Sequence, residues 1–307
     1  MTDVLIIGAG PAGLTAAIYA ARAGVAATVF EKNIYGGQIS LTSAVDNYPA
    51  LPGVPGVQFA NDLYDHALAQ GAEVLFDEVE AAQLAGPIKT VTAGGTVYEG
   101  RTIIIAGGAA PRRLGCTGET EYTGRGVSYC ATCDAAFYRG KTVAIVGGGD
   151  TALGDALFLA NHCQKVYLVH RRTAFRGQVV LQNAVHARAN IEIITPATVA
   201  AIEGGTAVEQ VVLDTPDGQR RLAVDGLFVA VGQTAETALY QNLLPLDENG
   251  YILAGEDCAT PLPGVFVAGD LRKKPLRQIV TAAADGAVAA VAAAEYCNAQ
   301  SDASRGA

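Results

Sequence analysis

Val4-Leu5-Ile6-Ile7-Gly8-Ala9-Gly10-Pro11-Ala12-Gly13 is the stretch that decides the fold. An apolar run of strand character stops at a G-x-G-x-x-G turn. The alanine-rich segment from Leu14 to Ala23 then reads as a helix, ended by Gly24. Val25 to Phe30 supplies a second strand and completes a βαβ unit. In such a unit the glycines let backbone approach a pyrophosphate, and the helix N-terminus stabilises its charge. One such turn is weak evidence, but the chain carries a second. Val143-Ala144-Ile145-Val146-Gly147-Gly148-Gly149-Asp150-Thr151-Ala152 ends in G-x-G-x-x-A, with a helix expected from about Thr151 to Asn161 and a strand from Val166 to Val169. Gly8 and Gly147 lie 139 positions apart, and the same offset carries Glu31 onto His170. The two copies therefore stay in register to the end of their second strands. The expected fold is α/β with two Rossmann-like nucleotide-binding domains.

The end of the second strand is where an adenosine ribose is read. In the first copy this position is Glu31, a carboxylate that accepts ribose hydroxyls and suits an FAD or NAD type of nucleotide. In the second it is His170-Arg171-Arg172, with Arg176 close behind. A carboxylate there would repel a 2′-phosphate, whereas guanidiniums clamp it, so the second copy points to NADPH. A solvated basic turn is the plain alternative. Two further apolar runs end in glycine turns: Thr102-Ile103-Ile104-Ile105-Ala106-Gly107-Gly108 and Gly264-Val265-Phe266-Val267-Ala268-Gly269-Asp270. Asp270 thus stands just past a buried strand, where open α/β sheets bind ligands and where a carboxylate can accept flavin ribityl hydroxyls. Its alternative role is a helix N-cap.

Cys130 and Cys133, in Ser128-Tyr129-Cys130-Ala131-Thr132-Cys133-Asp134, form a close pair that can cycle between disulfide and dithiol. Cys116, Cys163, Cys258 and Cys297 are scattered and read as buried small apolar residues. With no second CxxC and no HExxH, no metal centre is expected. Half of the 307 residues are apolar and 17% are charged, which is globular and ample for two domains. A net charge of −9 argues against wholesale nucleic-acid binding. Thr2-Asp3 leads straight into a strand with no signal-peptide pattern, so a soluble cytoplasmic protein is expected. The alanine-rich stretch from Ile279 to Tyr296 is broken by Asp285-Gly286 and reads as a packed helix rather than a membrane span.

These residues, in this order, resemble the low-molecular-weight thioredoxin reductases of the flavin disulfide reductase class over almost the whole chain. The match runs through Gly8 to Gly13, Gly36-Gly37-Gln38, Asn47-Tyr48-Pro49, Arg125-Gly126-Val127-Ser128 and Cys130-Ala131-Thr132-Cys133-Asp134. It continues through Gly147 to Ala152, His170-Arg171-Arg172 and Ala268-Gly269-Asp270 to Arg277-Gln278. The resemblance implies a discontinuous FAD domain (1–110 and 241–307) with an NADPH domain (111–240) inserted in it, hinge strands near Arg112 and 234–237, and a homodimer. It places Gly8, Gly10, Pro11, Ala12 and Gly13 at the FAD pyrophosphate and Glu31 at its ribose. Gly37, Gln38, Asn47 and Gly107 would lie near the flavin, Asp270 on its ribityl chain, and Arg277, Gln278 and Ile279 close to the ring. Gly147, Gly149, Asp150 and Thr151 would hold the NADPH pyrophosphate, and His170, Arg171, Arg172 and Arg176 its 2′-phosphate end. Arg125 matches a position that touches the protein substrate.

The implied reaction passes hydride from NADPH to flavin, electrons to the Cys130–Cys133 disulfide, and then reduces a disulfide in thioredoxin or a thioredoxin-like partner, with rotation of the inserted domain. Cys133 would start the exchange, Cys130 would resolve it, and Asp134 would serve as acid–base group; capping a following turn is the rival role for Asp134. Several positions depart from the family pattern: Ala135 and Ala136 replace a glycine and an aromatic, Gly107 a threonine, Gly154-Asp155 a pair of glutamates, and Ala284 a glycine. Two other functions share many of these features. A dithiol oxidase of the same fold would not need the arginine cluster, and a non-catalytic NADPH-sensing flavoprotein would not need the CxxC.

Overall fold

The computed structural model describes residues 1–42 and 44–305. The chain forms two compact units, Met1–Ala110 with Thr234–Ala307, and Pro111–Gln233.

In the first unit, β1 (Thr2–Ile7) runs into α1 (Pro11–Arg22) and β2 (Ala27–Phe30). Pro11 opens α1 because its ring fixes φ for the helix and the amide it lacks would have no partner there. The helix stops at Ala23, and Gly24 follows in the left-handed conformation at φ +78°. Next come α2 (Gly56–Ala69), β3 (Glu73–Leu75), β4 (Val79–Gln83), β5 (Lys89–Ala93), β6 (Thr96–Ile105) and β7 (Ala109–Pro111).

The second unit contains α3 (Glu119–Tyr122), β8 (Val127–Ser128), α4 (Ala131–Asp134), β9 (Thr142–Val146), α5 (Asp150–Ala160), β10 (Lys165–Val169), α6 (Val179–His186) and β11 (Ile191–Ile194). An antiparallel sheet of β12 (Thr198–Gly204), β13 (Val208–Thr215) and β14 (Gly218–Ala223) follows, then β15 (Gly226–Val229). The chain returns to the first unit through β16 (Gln233–Ala235), which pairs with β7, and adds β17 (Val265–Val267) and α7 (Ile279–Arg305).

Both main sheets have the layout of a nucleotide-binding fold. In the first the strand order is β3-β2-β1-β6-β5-β4, with β17 also paired to β6. β1 lies parallel to β2 (Leu5↔Thr28) on one side and to β6 (Leu5↔Ile103) on the other. In the second the order is β11-β10-β9-β15-β8, with β9 parallel to β10 (Ile145↔Leu168) and to β15 (Ile145↔Phe228). In each sheet the strand before the glycine turn is central, and chain connections leave it in opposite directions. That is the switch point where open α/β sheets bind ligands.

Val4, Leu5, Ile6 and Ile103 to Ile105 are fully buried, each such side chain contributing roughly 1.5–3 kcal/mol of transfer free energy. α7 is long and apolar enough to cross a membrane by length and composition. Here its Ala289, Ala290, Ala293, Ala294 and Cys297 are buried in one cluster with Val4, Leu14 and Ala17 of β1 and α1. Gly286 permits that approach, because a Cβ there would lie 2.1 Å from the Ala12 carbonyl oxygen.

Candidate nucleotide sites and redox centre

The glycines of the first turn divide the work. A Cβ on Gly8, at φ +105°, would meet the Ala106 carbonyl oxygen at 2.5 Å, and one on Gly13 would meet the Gly8 carbonyl oxygen at 1.8 Å. These two glycines allow strand and helix to close up. Gly10 has nothing within 4 Å of its Cβ position and leaves the face before α1 open. Glu31, at the end of β2, accepts hydrogen bonds from the Ala9 and Asn33 amides, both at 2.9 Å. The carboxylate is thereby held against the turn.

Several of the residues expected around a flavin meet within the first unit. Gly37 and Gln38 begin a short 3₁₀ turn, and Gln38 donates to the Ala109 carbonyl. Asn47 Nδ2 donates to Gln278 Oε1 at 2.9 Å. Ile279, the first residue of α7, packs on Ile39, Val45 and Phe59. The Arg277 guanidinium lies 3.9 Å over the Tyr251 ring, and its Nε donates to the Asp270 carbonyl at 3.2 Å. No helix begins at Asp270, so the capping role is not the one it plays. Its Oδ1 is buried without a hydrogen-bond partner, and burial pushes the carboxyl up against the opposing pull of Lys274 and Arg277. Gly107 is exposed after β6, and a Cβ there would make only ordinary contact, 3.7 Å, with Glu236. Its glycine is therefore no steric necessity.

Asp285, read as an interruption in an apolar helix, is an anchor. It accepts from the Gly269 amide at 3.0 Å, Arg272 Nη2 at 2.9 Å and Lys274 Nζ at 2.9 Å. Burial pushes its carboxyl up, but the bonds to Arg272 and Lys274 outweigh that and hold it below the usual range. The turn carrying Asp270 is thus tied to α7 through a buried, paired charge.

In the second unit, Gly149 has an open Cβ position, as Gly10 does. Gly148 is filled instead: a Cβ there would sit 2.2 Å from the His170 ring. His170 is only 6% exposed, stacks on Phe175 and has a buried Nε2 without a partner. Burial pushes the imidazole down, a bond to the Ala174 backbone opposes this, and the charges of Arg171, Arg172 and Arg176 add to the lowering. It is therefore neutral at physiological pH. Arg171, Arg172 and Arg176 are exposed. Asp150 is engaged: its two carboxylate oxygens accept from the backbone amide and the side-chain amide of Gln178 at 2.7 and 3.2 Å. Thr151 is exposed on the first turn of α5.

Cys130 and Cys133 are joined as a disulfide with Cα atoms 5.3 Å apart, Cys130 at the start of α4 and Cys133 within it. Asp134 closes α4 but makes no side-chain cap. Its Oδ1 is buried without a partner, and burial pushes the carboxyl up, partly offset by the Ser128 hydroxyl. Ala135 has ordinary helical geometry (φ −56°) and is 2% exposed, so the backbone here does not need the family's glycine. Arg125 is exposed on the turn before β8, its guanidinium bonded to the Glu121 carbonyl at 2.6 Å. Burial pushes the Cys163 and Cys258 thiols up to about 11 and 12, which makes them inert. Cys116 is only half-buried, unlike the sequence expectation, yet its thiol is also pushed up to about 11 by burial and by Glu119.

Among the described residues the buried side-chain atoms lacking a hydrogen-bond partner are Asp134 Oδ1, His170 Nε2 and Asp270 Oδ1, the last of which lies 3.9 Å from Lys274 Nζ. An unsatisfied buried polar atom costs about 1–3 kcal/mol, so each marks a place for a bound water, a ligand or a reacting group. All three fall at positions singled out from sequence. Asp270 and the open side of Gly10 fit a flavin nucleotide. Gly149, His170 and the exposed arginines fit a phosphorylated nicotinamide nucleotide.

The profile of the pyridine nucleotide-disulphide oxidoreductases matches residues 2–286. The chain belongs to this family. Membership implies a flavin, a nicotinamide cofactor and a redox-active disulfide. A thioredoxin reductase of Listeria monocytogenes is 41% identical over 297 residues, 96% of this chain and 93% of that protein. One from Bacillus subtilis is 39% identical, covering 96% and 94%. The crystal structure of the Streptococcus pyogenes thioredoxin reductase superimposes with a TM-score of 0.93 at 38% identity, covering 97% of this chain and 99% of the other. The family member described here therefore has two nucleotide-binding domains of the bacterial thioredoxin reductase type.

Proposed function

We propose that this protein is an NADPH-dependent thioredoxin-disulfide reductase that holds FAD in its first unit and works as a cytoplasmic homodimer. The observation that carries this reading is the Cys130–Cys133 disulfide next to Asp134, whose buried Oδ1 has no hydrogen-bond partner, on the same unit as the second glycine turn and the exposed arginines after β10. A dithiol oxidase would have no use for those arginines.

A flavin bound in the first unit would supply two-electron transfer between a nicotinamide and the Cys130–Cys133 disulfide. Gly8, Gly10, Pro11, Ala12 and Gly13 receive its pyrophosphate, Glu31 its ribose and Asp270 its ribityl chain. Gly37, Gln38, Asn47, Gly107, Arg277, Gln278 and Ile279 border its ring. Gly147 and Gly149 take the NADPH pyrophosphate beside Thr151, while Arg171, Arg172 and Arg176 hold the 2′-phosphate near His170.

Once the pair is a dithiol, the Cys133 thiolate attacks the thioredoxin disulfide and forms a mixed disulfide. Cys130 then displaces Cys133's new partner, which releases dithiol thioredoxin and restores Cys130–Cys133. Asp134 stores a proton beside Cys133, and burial suits it to the task because a raised carboxyl keeps its proton to higher pH. Arg125 meets the protein substrate. The redox pair and the second nucleotide turn share one unit, so serving one flavin in turn requires the units to reorient during turnover.

Anaerobic NADPH titration followed by oxidised thioredoxin tests the reading. NADPH bleaches the flavin and thioredoxin restores its colour. Cys133→Ser keeps the bleaching and loses thioredoxin reduction by more than about 10³-fold. A protein that takes up no flavin, or a Cys133→Ser variant with full activity, overturns it.

A further inference from the structure

We propose that Asp150 and Gln178 form a brace that fixes the arginine loop against the second glycine turn. Asp150 is then a positioning residue for selection of the 2′-phosphorylated nucleotide rather than a phosphate contact. The proposal rests on the reading of the second unit as an NADPH site.

Four observations converge on it. Both Asp150 oxygens are engaged by Gln178, one by its backbone amide at 2.7 Å and one by its side chain at 3.2 Å. Charge-assisted bonds of this kind are stronger than neutral ones. One turn earlier, the Gly148 carbonyl accepts from the Arg176 amide at 2.8 Å and the Gly177 amide at 3.1 Å. Gly177 is pressed onto α5, where a Cβ would lie 2.5 Å from Leu153 Cδ1 and 3.1 Å from Asp150 Oδ1. The far end of the loop is fixed as well, since Gln182 Nε2 donates to the Gly177 carbonyl at 2.7 Å. The segment bearing Arg171, Arg172 and Arg176 is therefore held by both of its ends, at the His170 contact with Gly148 and at Gln178.

The first copy supplies the control. The residue at the matching helix start is Pro11, which has no carboxylate, and no arginine loop follows β2. The brace occurs only in the copy that has a basic loop to orient. Its chemistry also explains how an acid is tolerated beside a phosphate-binding turn. The carboxylate accepts two donors from Gln178 and is directed at the loop. Precise placement matters because a 2′-phosphate gains selectivity only when guanidinium forks meet its oxygens at hydrogen-bond distance.

The test uses the flavin-loaded enzyme, with NADPH and NADH as alternative reductants and oxidised thioredoxin as acceptor. Asp150→Ala and Gln178→Ala are each expected to lower kcat/KM for NADPH about 10-fold and that for NADH less than about 3-fold, with the double variant no worse than either single. Asp150→Asn with Gln178→Glu exchanges donor and acceptor at constant charge and restores NADPH preference, whereas Gln178→Glu alone sets two carboxylates face to face and is the worst variant. Calorimetry reads the same contrast without turnover: 2′,5′-ADP binding weakens in the single variants while 5′-AMP binding holds. Gln178 is exposed, so its replacement leaves the fold intact and the arm interpretable. Equal losses for both nucleotides, or no loss at all, overturn the brace. A parent enzyme that does not prefer NADPH, or an Arg171→Ala/Arg172→Ala variant that keeps the preference, overturns the nucleotide reading itself and the brace with it.

Discussion

The two glycine turns are one scaffold used twice, and they differ at several matched places. Ala9, Pro11, Gly13 and Glu31 of the first stand where Gly148, Asp150, Ala152 and His170 stand in the second. In the first, the helix closes on the strand at Gly13 and the strand end offers a carboxylate bonded to the Ala9 amide. In the second, the helix carries a methyl at Ala152, and the strand end offers a neutral imidazole filling the space above Gly148. On the proposed reading both turns offer open backbone to a pyrophosphate, at Gly10 and at Gly149. What differs is the edge proposed to read the sugar, together with the Asp150–Gln178 contact beside it. A ligand preference in this fold is thus written in pairs of positions rather than in single ones.

The largest effect should come from Gly13→Ala. Its Cβ would meet backbone oxygen at 1.8 Å, so a loss of about 3–5 kcal/mol and of bound flavin is expected by urea unfolding and absorbance. Ala152→Gly, the reciprocal change, should cost no more than about 1 kcal/mol. Equal costs would break the comparison. Next, Arg171→Ala/Arg172→Ala should lower kcat/KM for NADPH roughly 10²-fold and leave NADH nearly unchanged. Glu31→Ala should weaken flavin retention without altering the ratio of the two reductants. Gly148→Ala gives the second turn the residue of the first, and displaces the His170 ring at a cost of about 1–3 kcal/mol, most of it recovered in Gly148→Ala/His170→Ala.

The smallest effect concerns Asp155, half-buried on α5, where the matching residue of the first copy is the fully buried Ala16. Burial raises the Asp155 carboxyl from an ordinary 3.8 to about 6. The unfolded chain therefore releases this proton first, and stability falls as pH rises through that window. Asp155→Asn should stabilise by about 1–2 kcal/mol at pH 7.5 and change nothing below pH 3.8, as read from thermal melts at the two pH values.

Much of this was legible in the sequence, because it is carried by local pattern. The strand-turn-helix runs, the register from Gly8 and Gly147 to Glu31 and His170, and the CxxC all lie within short windows where periodicity and glycine spacing carry the information. What escaped was pairing over distance. Gln178 gave no sign that it would meet Asp150, since nothing in its own segment has a period pointing there. Asp285 looked like a break in an apolar helix, because its partners Arg272 and Lys274 reach it only once the turn after β17 folds back. Glu119, which accepts from the Leu114 and Gly115 amides and from the Tyr129 hydroxyl next to Cys130, was missed for the same reason.

The contact between α1 and α7 sets an order of events during synthesis. Ala16 and Ala17 belong to the same cluster as Ala293 and Cys297, so the first unit cannot finish its interior until residues nearly three hundred positions apart have left the ribosome. The second unit is contiguous and meets no such delay. The nascent chain should therefore carry a completed inner module flanked by an unfinished N-terminal segment, and it is that waiting segment, with its apolar strands uncovered, that chaperones and proteases would encounter first.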